Sequence, residues 1–171
     1  MSNEFAEAVV AEAKSYLGVP YVLGGLSRHG IDCRGLARKA FGNVGLRDLI
    51  GGPLPNVRAQ VKWAKANGRF RDPLSYTPQR GDLIFYSDAK PPSAEPGNPD
   101  HIRHVGIVLK PKTVNFPAGR VISALNPVLD VKKHGLNLRG LAIYGYCEPD
   151  WASALPEPPI VDPEPTVGDQ P

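Results

Sequence analysis

A chain of 171 residues, 42% hydrophobic and 22% charged, suffices for one domain with its own core, and no apolar run approaches the ~20 residues of a membrane-spanning helix. The net charge of +3 hides a division: all 20 Lys and Arg precede Glu148 with 11 of the 17 acids, and residues 148–171 hold the other 6. A body this basic is drawn to polyanions, but its charges are dispersed and no helix-turn-helix, zinc-finger or stacking-aromatic motif accompanies them, which disfavours nucleic acid.

From Ser2 to Leu17 the apolar positions Phe5, Ala6, Val9, Val10, Ala13, Tyr16 and Leu17 trace one helical stripe, stopped by Gly18 and Pro20. Tyr21-Val22-Leu23-Gly24-Gly25-Leu26 is short and glycine-rich, a turn leading towards Cys33. A second helix starts at Asp32, a good N-cap, carries Leu36, Ala37, Ala40 and Phe41 on one face, and ends near Gly42. Gly51-Gly52-Pro53-Leu54-Pro55 breaks the chain before a third helix, capped by Asn56 and closed by Gly68. Val57, Val61 and Ala64 point inward there, and Arg58, Lys62 and Lys65 form a solvated face.

Beyond Gly68 the period becomes extended. Strands are predicted over Asp82–Tyr86, His104–Leu109, Arg120–Leu125 and Arg139–Tyr146, separated by glycine, proline and asparagine. Helices followed by strands read as α+β, with an antiparallel sheet in the second half. Ser87 to Arg103 is a 17-residue loop with four prolines, a candidate wall of a binding groove. The domain is expected over residues 1–147. Residues 148–171, with seven prolines and no basic residue, read as a linker or tail.

Chemistry converges on Cys33. In the first turn of a helix, unpaired amides and the positive end of the macrodipole favour thiolate over thiol, and the alternative is a buried structural cysteine. A thiolate nucleophile needs a base, and the base needs an orienting group. Of His29, His101, His104 and His134, His104 opens an apolar strand and shares a face with Gly106, which clears room beside it. Cys147 lies next to the acidic tail and reads as inert; two cysteines so far apart make no disulfide framework. Asp100, His101 and His104 lack a spacing diagnostic of zinc, so neither metal nor cofactor is expected.

Four segments in this order, Tyr16-Leu17-Gly18-Val19-Pro20-Tyr21-Val22-Leu23-Gly24-Gly25, Asp32-Cys33-Arg34-Gly35-Leu36, Arg80-Gly81-Asp82-Leu83-Ile84-Phe85 and His104-Val105-Gly106-Ile107-Val108-Leu109, closely resemble the NlpC family. These are papain-like cysteine peptidases that cut the stem peptides of bacterial peptidoglycan. By position the resemblance makes Cys33 the nucleophile and His104 the base, and leaves His101 as a loop residue. It puts Ser123, in Val121-Ile122-Ser123-Ala124, where the family usually has histidine, asparagine, glutamine or an acid. A hydroxyl can accept the imidazole N–H but is short and neutral. Asn126 is the alternative third residue, although strand alternation sets it on the opposite face from Ser123 unless the strand has ended or bulged by Leu125.

The same resemblance implies that Tyr21 lines the site and gives its phenol to the oxyanion beside the Cys33 amide. Asp32 is most simply an N-cap, and Arg34 replaces the family's usual serine, altering the charge of the substrate pocket. The expected activity is hydrolysis of a stem-peptide amide, between D-glutamate and a diamino acid. The alternatives are a non-catalytic wall-binding module and an amidase or acyltransferase using the same Cys-His pair. A start without a signal peptide and a proline-rich exit resemble the front module of a phage endolysin. Such a chain is expected to be monomeric, held in the host cytosol until lysis and then active on the wall, with a wall-binding module after the linker.

Overall fold

The computed structural model describes residues 3–88, 101–125 and 130–154. Three helices come first: α1 over Glu4–Lys14, α2 over Cys33–Gly42 and α3 over Val57–Ala66. Each begins at a side-chain cap. Asn3 accepts the amides of Phe5 and Ala6, Asp32 that of Gly35, and Asn56 that of Ala59, as expected where four leading N–H groups lack helical partners. The stripe of α1 is buried at Ala6, Val9, Val10 and Ala13. Leu17 lies beyond the helix end and is exposed.

Between α1 and α2 a two-stranded hairpin, β1 (Leu26–Ser27) and β2 (Gly30–Ile31), occupies the glycine-rich turn. A side chain on Gly35 would meet the Gly25 carbonyl oxygen at 2.3 Å. Glycine there lets the hairpin lie against the first turn of α2.

The remaining strands are β3 (Phe70–Arg71), β4 (Leu83–Asp88), β5 (Ile102–Lys110), β6 (Arg120–Ala124), β7 (Val131–His134) and β8 (Leu141–Cys147). They form one antiparallel sheet in the order β3-β8-β4-β5-β6-β7. Helices packed on an antiparallel sheet make the protein α+β. Leu83, Phe85, Val105, Ile107, Ile122 and Ala124 join the residues of α1, α2 and α3 in the main core. Alternate positions Ile84, Tyr86, Val108 and Val121 build a smaller cluster with Leu136 and Tyr146. Central strands thus bury both faces, which is why β4 and β5 read as nearly continuous apolar runs.

The acidic segment stays on the domain further than expected. Glu148 pairs with Arg71 at 2.7 Å, Asp150 pairs with Arg69, and Trp151 stacks on Phe41 with ring centroids 5.9 Å apart. Docking therefore extends through Ala154, because a large aromatic and two carboxylates find partners on α2 and at the start of β3. The rest of the expected tail, and most of the long loop expected between β4 and β5, lie outside the described residues. No helix among the described residues is long and apolar enough to cross a membrane.

Candidate active site

Cys33 stands at the first position of α2 because Asp32 ends the hairpin there. One Asp32 oxygen caps the helix through Gly35 N–H at 2.6 Å, and the other accepts Gly24 N–H at 2.8 Å. The carboxylate ties the preceding loop to the helix that carries the sulfur. Cys33 keeps 9% of its surface accessible. The backbone amides of Val105, Arg34 and Cys33 itself lie close enough to favour its thiolate, which sets the sulfur by the peptide joining His104 to Val105.

The helix terminus does not lower the thiol's proton affinity overall. Those amides favour the thiolate, but burial opposes them more strongly and, helped by the Asp32 charge, pushes the Cys33 thiol up to about 11. His104 moves the other way, down to about 4, because burial and then the neighbouring His134 disfavour imidazolium. Both shifts favour the uncharged forms, a thiol on Cys33 and a neutral imidazole on His104, where the helix terminus alone favours a thiolate.

His104, Ser123 and His134 share one sheet face, crossing β5, β6 and β7 diagonally. The pairings Val121↔His134 and Ser123↔Lys132 put Ser123 and His134 on the same side. His104 Nε2 lies 2.9 Å from Ser123 Oγ, Ser123 Oγ lies 2.7 Å from His134 Nε2, and His134 Nδ1 lies 2.7 Å from the Gly135 carbonyl oxygen. Ser123 is fully buried. Gly106 makes this possible: a methyl group there would come within 2.5 Å of Val121 Cγ1 and 3.3 Å of Ser123 Cβ. Asn126, the alternative third residue, lies outside the described residues.

A groove of about 520 Å³ opens over Cys33, with Tyr21, Asp32, Arg34, Arg58 and Arg103 among its lining residues. Tyr21 is held towards the site by a bridge to Ile31, and burial followed by the charges of Cys33 and Asp32 raises its pKa, which keeps it a phenol. Arg34 donates to the Pro55 carbonyl and joins the start of α2 to the segment before α3. Arg103 pairs with Asp88 at 3.0 Å. His101 is half-buried just before β5. No group of three or more His, Cys, Asp or Glu among the described residues could hold a metal ion. Cys147 is buried on β8, where burial leads in pushing its thiol up to about 12.

The pattern of the NlpC/P60 family matches residues 18–132. The chain belongs to the NlpC/P60 family. It is 35% identical over 106 residues to a probable endopeptidase of Haemophilus influenzae, covering 61% of this chain and 55% of that protein. It is 37% identical over 81 residues to a gamma-DL-glutamyl hydrolase of Bacillus subtilis, covering 47% of this chain and 17% of that one. The chain therefore spans about half the length, or less, of these curated relatives. The crystal structure of the NlpC/p60 domain of the peptidoglycan hydrolase SagA superposes with a TM-score of 0.57 at 29% identity, over 84% of this chain and 97% of that one.

Arg58 and His134 carry no signal of their roles in the sequence of this NlpC/P60 chain. Arg58 was assigned to a solvated helix face; it is exposed, but on the side of α3 that lines the groove. His134 belongs to a four-residue strand, Val131–His134, whose consecutive lysines break polar-apolar alternation. Its only local signal is a histidine followed by a glycine. Its place beside Ser123 comes from non-local register.

Proposed function

We propose that this chain hydrolyses stem-peptide amides of bacterial peptidoglycan, at the bond between D-glutamate and a diamino acid, through Cys33 and His104. The observation that carries this reading is the Cys33 sulfur held against the His104–Val105 peptide on the floor of an arginine-lined groove. The names of the relatives, an endopeptidase, a glutamyl hydrolase and a peptidoglycan hydrolase, support it. So do Arg34 and Arg58, since stem peptides carry free carboxylates and guanidinium groups bind them in bidentate fashion.

Because the pair rests neutral, the nucleophile is made as the substrate reacts. His104 Nδ1 takes the thiol proton while sulfur bonds to the carbonyl carbon, and the Tyr21 phenol donates to the oxyanion. The carbon–nitrogen bond breaks, and the imidazolium returns its proton to the departing amine. A water molecule then loses a proton to His104 and attacks the thioester. This releases the new carboxyl group and regenerates the thiol.

The setting proposed is that of a phage lysin, made in the host cytosol and reaching the wall at lysis, with the basic body attracted to acidic wall polymers. Purified peptidoglycan incubated with wild type and Cys33→Ala, followed by mass analysis of soluble products, tests the chemistry. Wild type alone should release peptides with a new amino terminus on the diamino acid, leaving a new D-glutamate carboxyl on the glycan-linked stem. Equal product from both proteins, or wall binding without product, would overturn it.

A further inference from the structure

The serine at the third position raises a question of hydrogen placement. A hydroxyl rotates, and alone it does not dictate which imidazole nitrogen of His104 carries the hydrogen. Dictating it matters, because Nδ1 must be unprotonated to accept the thiol proton.

The chain of contacts beyond Ser123 supplies the missing constraint. The Gly135 carbonyl can only accept, so His134 Nδ1, 2.7 Å away, bears the hydrogen. Burial keeps the His134 ring neutral, which leaves its Nε2 an acceptor. Ser123, 2.7 Å from that nitrogen, must then point its O–H at His134. Only a lone pair of Ser123 remains to face His104 Nε2 at 2.9 Å, so Nε2 carries the hydrogen and Nδ1 is free. Backbone bonds fix the far end of the chain: Val131 N–H donates to Val19 and Val131 C=O accepts from Gly18, so β7 is held on its outer side by the segment after α1.

We propose that His134 is a positioning residue for the reaction, acting through Ser123 to hold the catalytic base His104 in its Nε2–H tautomer. The backbone carbonyl just after β7 thereby sets the protonation pattern of a ring two strands away. The inference rests on the function proposed for Cys33 and His104, and it explains how serine serves where an acid or amide is usual. When His104 becomes imidazolium, Nε2–H keeps its acceptor and no hydrogen bond has to be rebuilt.

Nitrogen-15 correlation spectra of the histidine rings, with kcat on a soluble stem peptide, test the idea. In the wild type, His134 should be the Nδ1–H tautomer and His104 the Nε2–H tautomer. His134→Leu should leave His104 a tautomer mixture and lower kcat by roughly 10- to 100-fold with little change in KM. His134→Gln, whose amide oxygen can accept the serine hydrogen, should restore most of the loss. In a Ser123→Ala background, His134→Leu should add nothing, since the link is already cut. An Nδ1–H tautomer of His104 in the wild type would overturn the proposal without any variant. So would additive losses in the double variant. Cys33→Ala separates the two levels: if it keeps full activity, the proposed function fails; if it is inactive while His134→Leu leaves tautomer and kcat unchanged, only the role of His134 fails.

Discussion

Alkylation of Cys33 as a function of pH tests whether the nucleophile is stored or made on demand. With the thiol pushed up to about 11, about one molecule in ten thousand carries a thiolate at pH 7, against a few per cent for a free cysteine. Iodoacetamide labelling, measured by mass spectrometry on the peptide containing Cys33, should therefore rise about tenfold per pH unit through the neutral range and level off only near pH 11. Cys147, buried and pushed still higher, should label only when the protein unfolds, and circular dichroism at each pH guards against that. The pH dependence is the readout, because burial also slows access at every pH. Labelling already on a plateau between about pH 5 and 8 would mean a thiolate–imidazolium pair at rest and would refute the reasoning.

Three further outcomes are expected. His104 is held neutral down to about 4, so kcat/KM should keep its acid limb near pH 4, well below an ordinary histidine. The same depressed pKa makes stability greatest above the unfolded value near 6.5; on the order of 3 kcal/mol is lost as pH falls from there through about 4, readable in denaturant melts. Gly106→Ala forces a methyl group to within 2.5 Å of Val121 Cγ1; it should cost about 1–3 kcal/mol by overpacking and depress kcat by parting His104 from Ser123. Arg58→Glu reverses a charge on the groove wall and should raise KM for stem peptides with free carboxylates, with less effect on amidated ones and on kcat, in steady-state assays at low salt.

Much of the fold is legible because its signals are local. Asp32 and Asn56 each precede an apolar helical stripe, and both cap the helices they announce. The long strands β4 and β5 show as apolar runs because both faces are covered. Short elements escape: β3 and the two strands of the hairpin have two residues each, too few for a period, and β7 is identified only by its partner.

The site divides in the same way. Tyr21, Asp32, Cys33, Arg34 and His104 lie in local motifs, and the register brings Ser123 to His104. A helix terminus can be read from six residues, while the burial that pushes the Cys33 thiol up is decided by strands more than seventy positions away. The failure to stop at Glu148 has a related cause: proline-rich composition signals exposure, but Trp151 finds a seat on Phe41 that composition does not reveal.

Paired residues on β5 and β6 run from Ile107↔Ile122 to Lys110↔Arg120, and nearer the groove the Val105 N–H lies by the Cys33 sulfur and favours its thiolate. The reactive atom thus takes a berth in the main-chain lattice that a neighbouring carbonyl would otherwise fill. A change that zipped these two strands one step further would evict it and silence the enzyme with every side chain of the site still in place. The vulnerability of this centre lies as much in how far a ladder closes as in the identity of any residue upon it.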